Sequence, residues 1–183
     1  MNTIINFAKV NPNAIIPTKL TEDMGFDIYP CFDQDYIIIK SHETKLIPTG
    51  IASSCDPEYG FLLRERGSTG SKGIALRCGV IDSGYRGEWF IGLTNTTENL
   101  VIISKTEKKL DIIDKERSSV DGFFDKAEIY EKVNDALIYP YSKAIAQALI
   151  IPVPSVTVVE TEYDVLKTIE SKRGIGKLGS SNK

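Results

Sequence analysis

Residues 79–88 read Gly79-Val80-Ile81-Asp82-Ser83-Gly84-Tyr85-Arg86-Gly87-Glu88. Two branched apolar residues run into a carboxylate, and a glycine turn then presents an aromatic ring and a cation. Two readings stand at this point. One is an ordinary β-hairpin with a polar tip. The other is a ligand-binding turn, in which Asp82 orients a water or a sugar hydroxyl and the Tyr85 ring packs on a sugar. Strand texture continues on the N-terminal side. Tyr36-Ile37-Ile38-Ile39, Leu46-Ile47-Pro48 and Gly60-Phe61-Leu62-Leu63 are short, rich in branched and aromatic residues, and separated by Gly, Pro, Asn or Asp. Turn signals recur about every 8–12 residues, which predicts an all-β sandwich or barrel. A chain of 183 residues suits one domain, residues 1–183, with a hydrophobic core.

The rest of the composition works mainly by exclusion. A net charge of −3 argues against general nucleic-acid binding, which shows itself in a basic excess. No apolar run approaches the roughly 20 residues of a membrane helix, so no membrane partner is expected. Met1-Asn2-Thr3-Ile4-Ile5-Asn6 has neither the basic start nor the apolar core of a secretory signal. Cys31, Cys55 and Cys78 are odd in number, far apart and in no zinc spacing. The expected location is therefore the reducing cytoplasm. His42 is the single histidine and sits in a polar stretch that reads as a solvated turn. With that one residue in a solvated turn, a histidine triad is disfavoured and a multi-histidine metal site is excluded, and any chemistry falls to carboxylates, amides, hydroxyls, Arg and Lys.

Residues 97–140 differ in texture. Ten of the 25 acidic and seven of the 22 basic residues fall there, so the body outside it is formally neutral. Leu100-Val101-Ile102-Ile103 reads as a strand. Phe123, Ala127, Tyr130, Val133 and Leu137 are spaced by threes and fours, which predicts one amphipathic helix, with Asp121 as its cap. Beyond it, Ala144 to Ile151 is nearly all apolar and predicts a strand buried on both faces, broken only by Gln147. Val156-Thr157-Val158-Val159 is a further strand candidate. Residues 171–183 are rich in Gly, Ser and Lys and predict a flexible arm.

Four more groupings carry potential chemistry. Arg66-Gly67-Ser68-Thr69-Gly70-Ser71-Lys72-Gly73 is either a solvated turn or a loop offering N–H groups and cations to phosphates, although it lacks Walker spacing. Asp27 leads into a strand within Asp23-Met24-Gly25-Phe26-Asp27-Ile28. Gln147, an amide in an apolar strand, needs partners and either braces structure or faces a cavity. Arg173-Gly174-Ile175-Gly176-Lys177-Leu178-Gly179-Ser180-Ser181 is either a basic tail or a segment that orders over an anionic ligand.

In this order the five groupings resemble the motifs of the trimeric dUTPase family. The resemblance is most specific at Gly79 to Gly87 and covers 1–96 and 141–183. It implies a distorted jelly-roll and a homotrimer with three sites shared between subunits. It also implies hydrolysis of dUTP to dUMP and pyrophosphate with Mg2+. On that likeness Asp82 orients the attacking water, Tyr85 packs on deoxyribose and rejects a 2′-hydroxyl, and Gly79, Val80 and Ile81 read uracil. Asp27, acting on magnesium through water, and Gln147 hold waters around the metal or nucleophile. Arg66, Gly67 and Ser68 grip phosphate, and Arg173, Leu178, Gly179 and Ser180 close over the substrate. The sequence departs from the family pattern at Met24, Gly67, Ala144 and Leu178. Leu178 stands where the family has a Phe over uracil, so Trp89 or Phe90 is the expected substitute ring. A dCTP deaminase shares the fold, but its catalytic glutamate position is Gly92 here. The 97–140 insert resembles in placement the extra segment of some staphylococcal phage dUTPases that bind repressors. That likeness implies a protein partner and, for a phage protein, a host-cytoplasmic location.

Overall fold

A computed structural model describes residues 4–118 and 129–175. The chain begins with β1 (Asn6–Lys9), β2 (Phe26–Ile28), β3 (Tyr36–Ile39), β4 (Thr44–Pro48), β5 (Ile51–Ser54) and β6 (Tyr59–Arg64). A single helical turn, α1 (Gly67–Gly70), precedes β7 (Ile74–Arg77), β8 (Val80–Ile81), β9 (Phe90–Asn95) and β10 (Val101–Ser104). Helices α2 (Lys109–Ser118) and α3 (Ile129–Asn134) separate β10 from β11 (Leu137–Pro140). Strand β12 (Ala146–Pro152) and helix α4 (Tyr163–Thr168) complete the described elements. The strands form four small sheets, ordered β1-β5, β11-β10-β3, β2-β12-β6-β8 and β4-β9-β7. Their inner faces meet in one core holding Phe61, Leu63, Trp89, Ile91, Val101, Ile103 and Ala148. Among the described residues no helix is long and apolar enough to cross a membrane.

The insert is built as a crossover. Strands β10 and β11 pair in parallel, Val101 opposite Leu137. Parallel neighbours cannot be joined by a tight turn, and α2 and α3 supply the connection. Strand alternation splits the β3, β10 and β11 residues between two cores. Ile39, Val101, Ile103 and Tyr139 face the main core. Ile38, Ile102 and Ile138 face a second core with Ile112, Ile113 and Val133.

Several expectations are corrected here. Of the predicted amphipathic helix, the described residues show α3, where Val133 is buried as the spacing required. Leu137 instead opens a strand, because its N–H donates to the Leu100 carbonyl and draws the chain into the sheet. Asp121, Phe123 and Ala127 lie outside the described residues. Helix α2 had no clear periodic signal; it contributes Ile112 and Ile113 to the second core. Strand β12 is buried at Ala146 and Ala148, but Ile151 is 36% exposed, so only part of the stretch is enclosed. Val156 to Val159 joins no sheet among the described residues and is exposed. The 79–88 stretch is not a self-paired hairpin. Strand β8 pairs with β6, whereas β9 pairs with β4 and β7. His42 is the exposed turn residue expected, with φ 57°.

The chain divides into two compact units, Met1–Val153 and Pro154–Lys183. The division falls at Pro154, before Ser171, where the composition changes.

Candidate active site

Strand β12 is the centre of the site. It pairs with β2 on one side and β6 on the other, aligning Asp27, Gln147 and Arg64 across one face. Arg66 follows β6 and returns its guanidinium to that face. Arg66 Nε lies 2.8 Å from Asp27 Oδ1, and its Nη2 donates to Oδ2 at 3.2 Å. This two-point contact fixes the fork more firmly than a point charge would. The Gln147 side-chain amide donates to the Glu65 carbonyl at 2.7 Å, so the amide both braces and lines the cleft. Gly25 is required by close approach: a Cβ there would stand 2.8 Å from Gln147 Oε1. Met24 is 81% exposed beside it, so a larger residue is tolerated at that position.

Asp23, Met24, Gly25, Asp27, Arg66, Gly67, Ser68 and Gln147 line one cleft of about 320 Å³. Thr69 closes the α1 turn beneath it: its hydroxyl accepts from the Arg66 N–H at 3.1 Å and donates to the Arg66 carbonyl at 3.0 Å. Nothing lies within 4 Å of a Cβ at Gly67, so the turn opens freely to the cleft there. Glu65, which the sequence reading did not single out, ties the cleft to β7. Its carboxylate accepts the Leu76 N–H at 2.9 Å. That bond, then the one from its own N–H, holds the Glu65 carboxyl below its ordinary range. Nothing local in the sequence marks this residue.

The 79–88 turn is elsewhere on the same sheet. The Gly79 carbonyl accepts the Leu63 N–H at 2.6 Å, and a Cβ on Gly79 would stand 2.8 Å from the Leu63 carbonyl. Ile81 is opposite Phe61, three residues and roughly 10 Å along β6 from Arg64, the strand residue level with Gln147. Past Ile81, Arg86 donates to the Ser83 and Tyr85 carbonyls at 2.6 and 3.1 Å, and Tyr85 donates to the Glu88 carbonyl at 3.1 Å. Thus Asp27, Arg66, Gly67, Ser68 and Gln147 converge, whereas Gly79, Val80, Ile81, Asp82 and Tyr85 do not line that cleft.

Trp89 is not a surface ring. It is fully buried, edge-on to Phe61 at 4.9 Å and to Phe7 at 5.6 Å. The strand places its neighbour Phe90 on the opposite face, 41% exposed. Arg173 lies in the second unit, and Leu178, Gly179 and Ser180 lie outside the described residues.

The dUTPase family profile matches residues 11–110. A deoxyuridine 5'-triphosphate nucleotidohydrolase of Nautilia profundicola is 30% identical over 183 residues, 98% of this chain and 99% of its own. The chain belongs to the dUTPase family. A second nucleotidohydrolase of that name, from Paraburkholderia xenovorans, is 29% identical over 89% of this chain and 85% of its own. Among solved structures, a Staphylococcus bacteriophage 80alpha dUTPase with dUPNHPP superposes with a TM-score of 0.66 at 25% identity, covering 98% of this chain and 99% of that one. The dUTPase of S. aureus phage phi11, solved with its species-specific insert visible, shares the fold at TM-score 0.61, 19% identity, 87% and 96% coverage. The dUTPase fold therefore accounts for the jelly-roll built here from four small sheets. Within it, Gly92 is buried opposite Arg77, and a Cβ there would stand 3.0 Å from the Arg77 carbonyl. A side chain there requires the Arg77 backbone to give by a few tenths of an ångström, and the glycine supplies no carboxylate for deaminase chemistry.

Proposed function

We propose that this chain hydrolyses dUTP to dUMP and pyrophosphate, and that its sites are completed between copies in a homotrimer. The observation that carries the reading is the convergence of Asp27, Arg66, Ser68 and Gln147, from three distant segments, in one cleft. A triphosphate is met there by a guanidinium already fixed in direction. Water attacks the α-phosphorus, the bond to the bridging oxygen breaks, and pyrophosphate leaves. Asp82 orients that water, Tyr85 packs on deoxyribose, and backbone groups of Gly79, Val80 and Ile81 read uracil. Phe90 is the aromatic available to cover the base.

The separation of Asp82 from the cleft supports sharing between copies, since one chain presents each half at a different place. The outer face of the β2-β12-β6-β8 sheet supports it too. Val80 is 67% exposed and Val153 45%, with Ile151 beside them, an apolar face suited to a second copy. The second unit would carry Arg173, Leu178, Gly179 and Ser180 to a neighbour's site.

Among the described residues no cluster of three or more His, Cys, Asp or Glu forms a metal cage. The oxygen donors of Asp23, Asp27 and Gln147 fit a magnesium ion held mainly by water and substrate phosphates. When bound, that ion supplies charge neutralisation on the phosphates. Asp27 would hold its water shell while also fixing Arg66.

The experiment is pyrophosphate release from dUTP, dCTP, dTTP and UTP, with and without magnesium. Release from dUTP far above the other three, and dependent on magnesium, is expected. Equal release from dUTP and UTP would overturn the deoxyribose reading. Ammonia release from dCTP would restore the deaminase.

The insert supports a second role, docking of a protein partner. Its helices have their own core and leave charged residues such as Asp111, Asp114 and Glu131 exposed. Replacing the α2–α3 segment by a flexible linker long enough to return from the end of β10 to the start of β11 is expected to abolish that docking. If turnover, assembly and partner binding all persist, the role is excluded.

A further inference from the structure

Tyr139 belongs to β11 of the insert, outside the residues 11–110 that the family profile matches. Its side chain is 1% exposed. The phenol hydroxyl donates to the Ala144 carbonyl at 2.8 Å and lies 3.5 Å from the Ser68 hydroxyl. The same Ala144 carbonyl accepts from Arg66 Nη1 at 3.3 Å. Lys72 Nζ, just past α1, stands 5.7 Å from the centre of the Tyr139 ring. One buried phenol thus meets Ser68 and Lys72 directly and shares an acceptor with Arg66.

We propose that Tyr139 is a positioning residue for the phosphate grip, pinning the Ala144 carbonyl on which the Arg66 guanidinium rests. The physical case is one of acceptor geometry. A backbone carbonyl offers two lone pairs, and here Tyr139 and Arg66 take one each. The phenol is fixed by the main core, so the carbonyl it holds is fixed, and Arg66 has a second point of attachment besides Asp27. Without the hydroxyl, the Ala144 carbonyl loses one of its two donors; the segment stays tied by the Lys143 N–H on Pro140 and the Ile145 N–H on Ile28, but the acceptor under the Arg66 fork is held less firmly in direction. Ser68 loses a neighbour at the same moment. The insert's last strand is then a working part of the cleft rather than decoration beside it. This inference rests on the reading of the cleft as a triphosphate site.

Tyr139→Phe tests it, because the ring stays in the core and only the hydroxyl leaves. Wild-type turnover of dUTP is measured first; its absence sinks the reading of the cleft itself. In the variant, KM for dUTP and the inhibition constant of inorganic pyrophosphate are each expected to rise about 3–10-fold, with kcat within about twofold. Inhibition by deoxyuridine, which carries no phosphate, is expected to stay unchanged. Pyrophosphate protection against thermal unfolding, read without turnover, is expected to shrink in parallel. A lower Tm with both constants and the protection unchanged makes the hydroxyl merely structural and overturns the proposal. Failure of the variant to fold does the same.

Discussion

Asp82→Asn is expected to lower pyrophosphate release from dUTP by about 10²–10⁴-fold while dUTP binding remains measurable. The substitution conserves shape and removes the charge to which the proposed mechanism gives the orienting of the water. The turn itself does not depend on that carboxylate. Its backbone is held by the Tyr85 N–H on the Asp82 carbonyl at 3.1 Å and by Arg86 on the Ser83 and Tyr85 carbonyls. A fall in kcat without a comparable rise in the dissociation constant is therefore the signature to look for. Full activity in the variant would remove Asp82 from the mechanism. The same variant tests the shared site. Mixed with Arg66→Ala after subunit exchange, it should recover activity. In random 1:1 trimers about one site in four pairs an intact turn with an intact cleft from its neighbour. A site completed within one chain would recover none.

Trp89→Ala is expected to destabilise the fold by about 3–5 kcal/mol. The ring is the largest fully buried side chain and is wedged between Phe7 and Phe61, so its removal leaves a cavity lined by aromatic edges. Urea unfolding followed by circular dichroism measures the loss, since the variant has no other tryptophan. Were Trp89 instead a cover for uracil, stability would hold and only KM for dUTP would rise. Phe90→Ala is the contrasting substitution, at the exposed residue that opens β9 directly after Trp89.

Much of this was readable in one dimension. Tyr36 to Ile39 became β3 with the boundaries its branched run predicted. Gln147 stood out as an amide in an apolar strand, whereas Asp27, Arg66 and Asp82 each had an ordinary turn or edge reading and stood out through the order of the groupings, which resembles the family's motifs. What was misread follows from the same limit. Adjacent residues on a strand face opposite ways, so choosing between Trp89 and Phe90 required the register of β9 against β4 and β7. The apolar spacing through Leu137 suited a helix, and only pairing with β10 drew that residue into a strand. Val156 to Val159 has strand composition but no ladder partner among the described residues, and composition cannot supply one.

The opening stretch, Gly79 to Glu88, already contained its chemistry: a carboxylate, a ring and a cation on a glycine turn. The sequence by itself determined the fold class, the family and the polar groups available for catalysis, because these follow from local composition and order. Tertiary structure decided which of those groups meet. Asp27, Arg66 and Gln147 are brought together by β2, β12 and β6, while Asp82 lies further along the same sheet. Such proximity depends on long-range strand pairing, whose register is set by core packing rather than by neighbours in the chain. Tyr139 entered the site the same way, through a parallel pair that no local pattern announces.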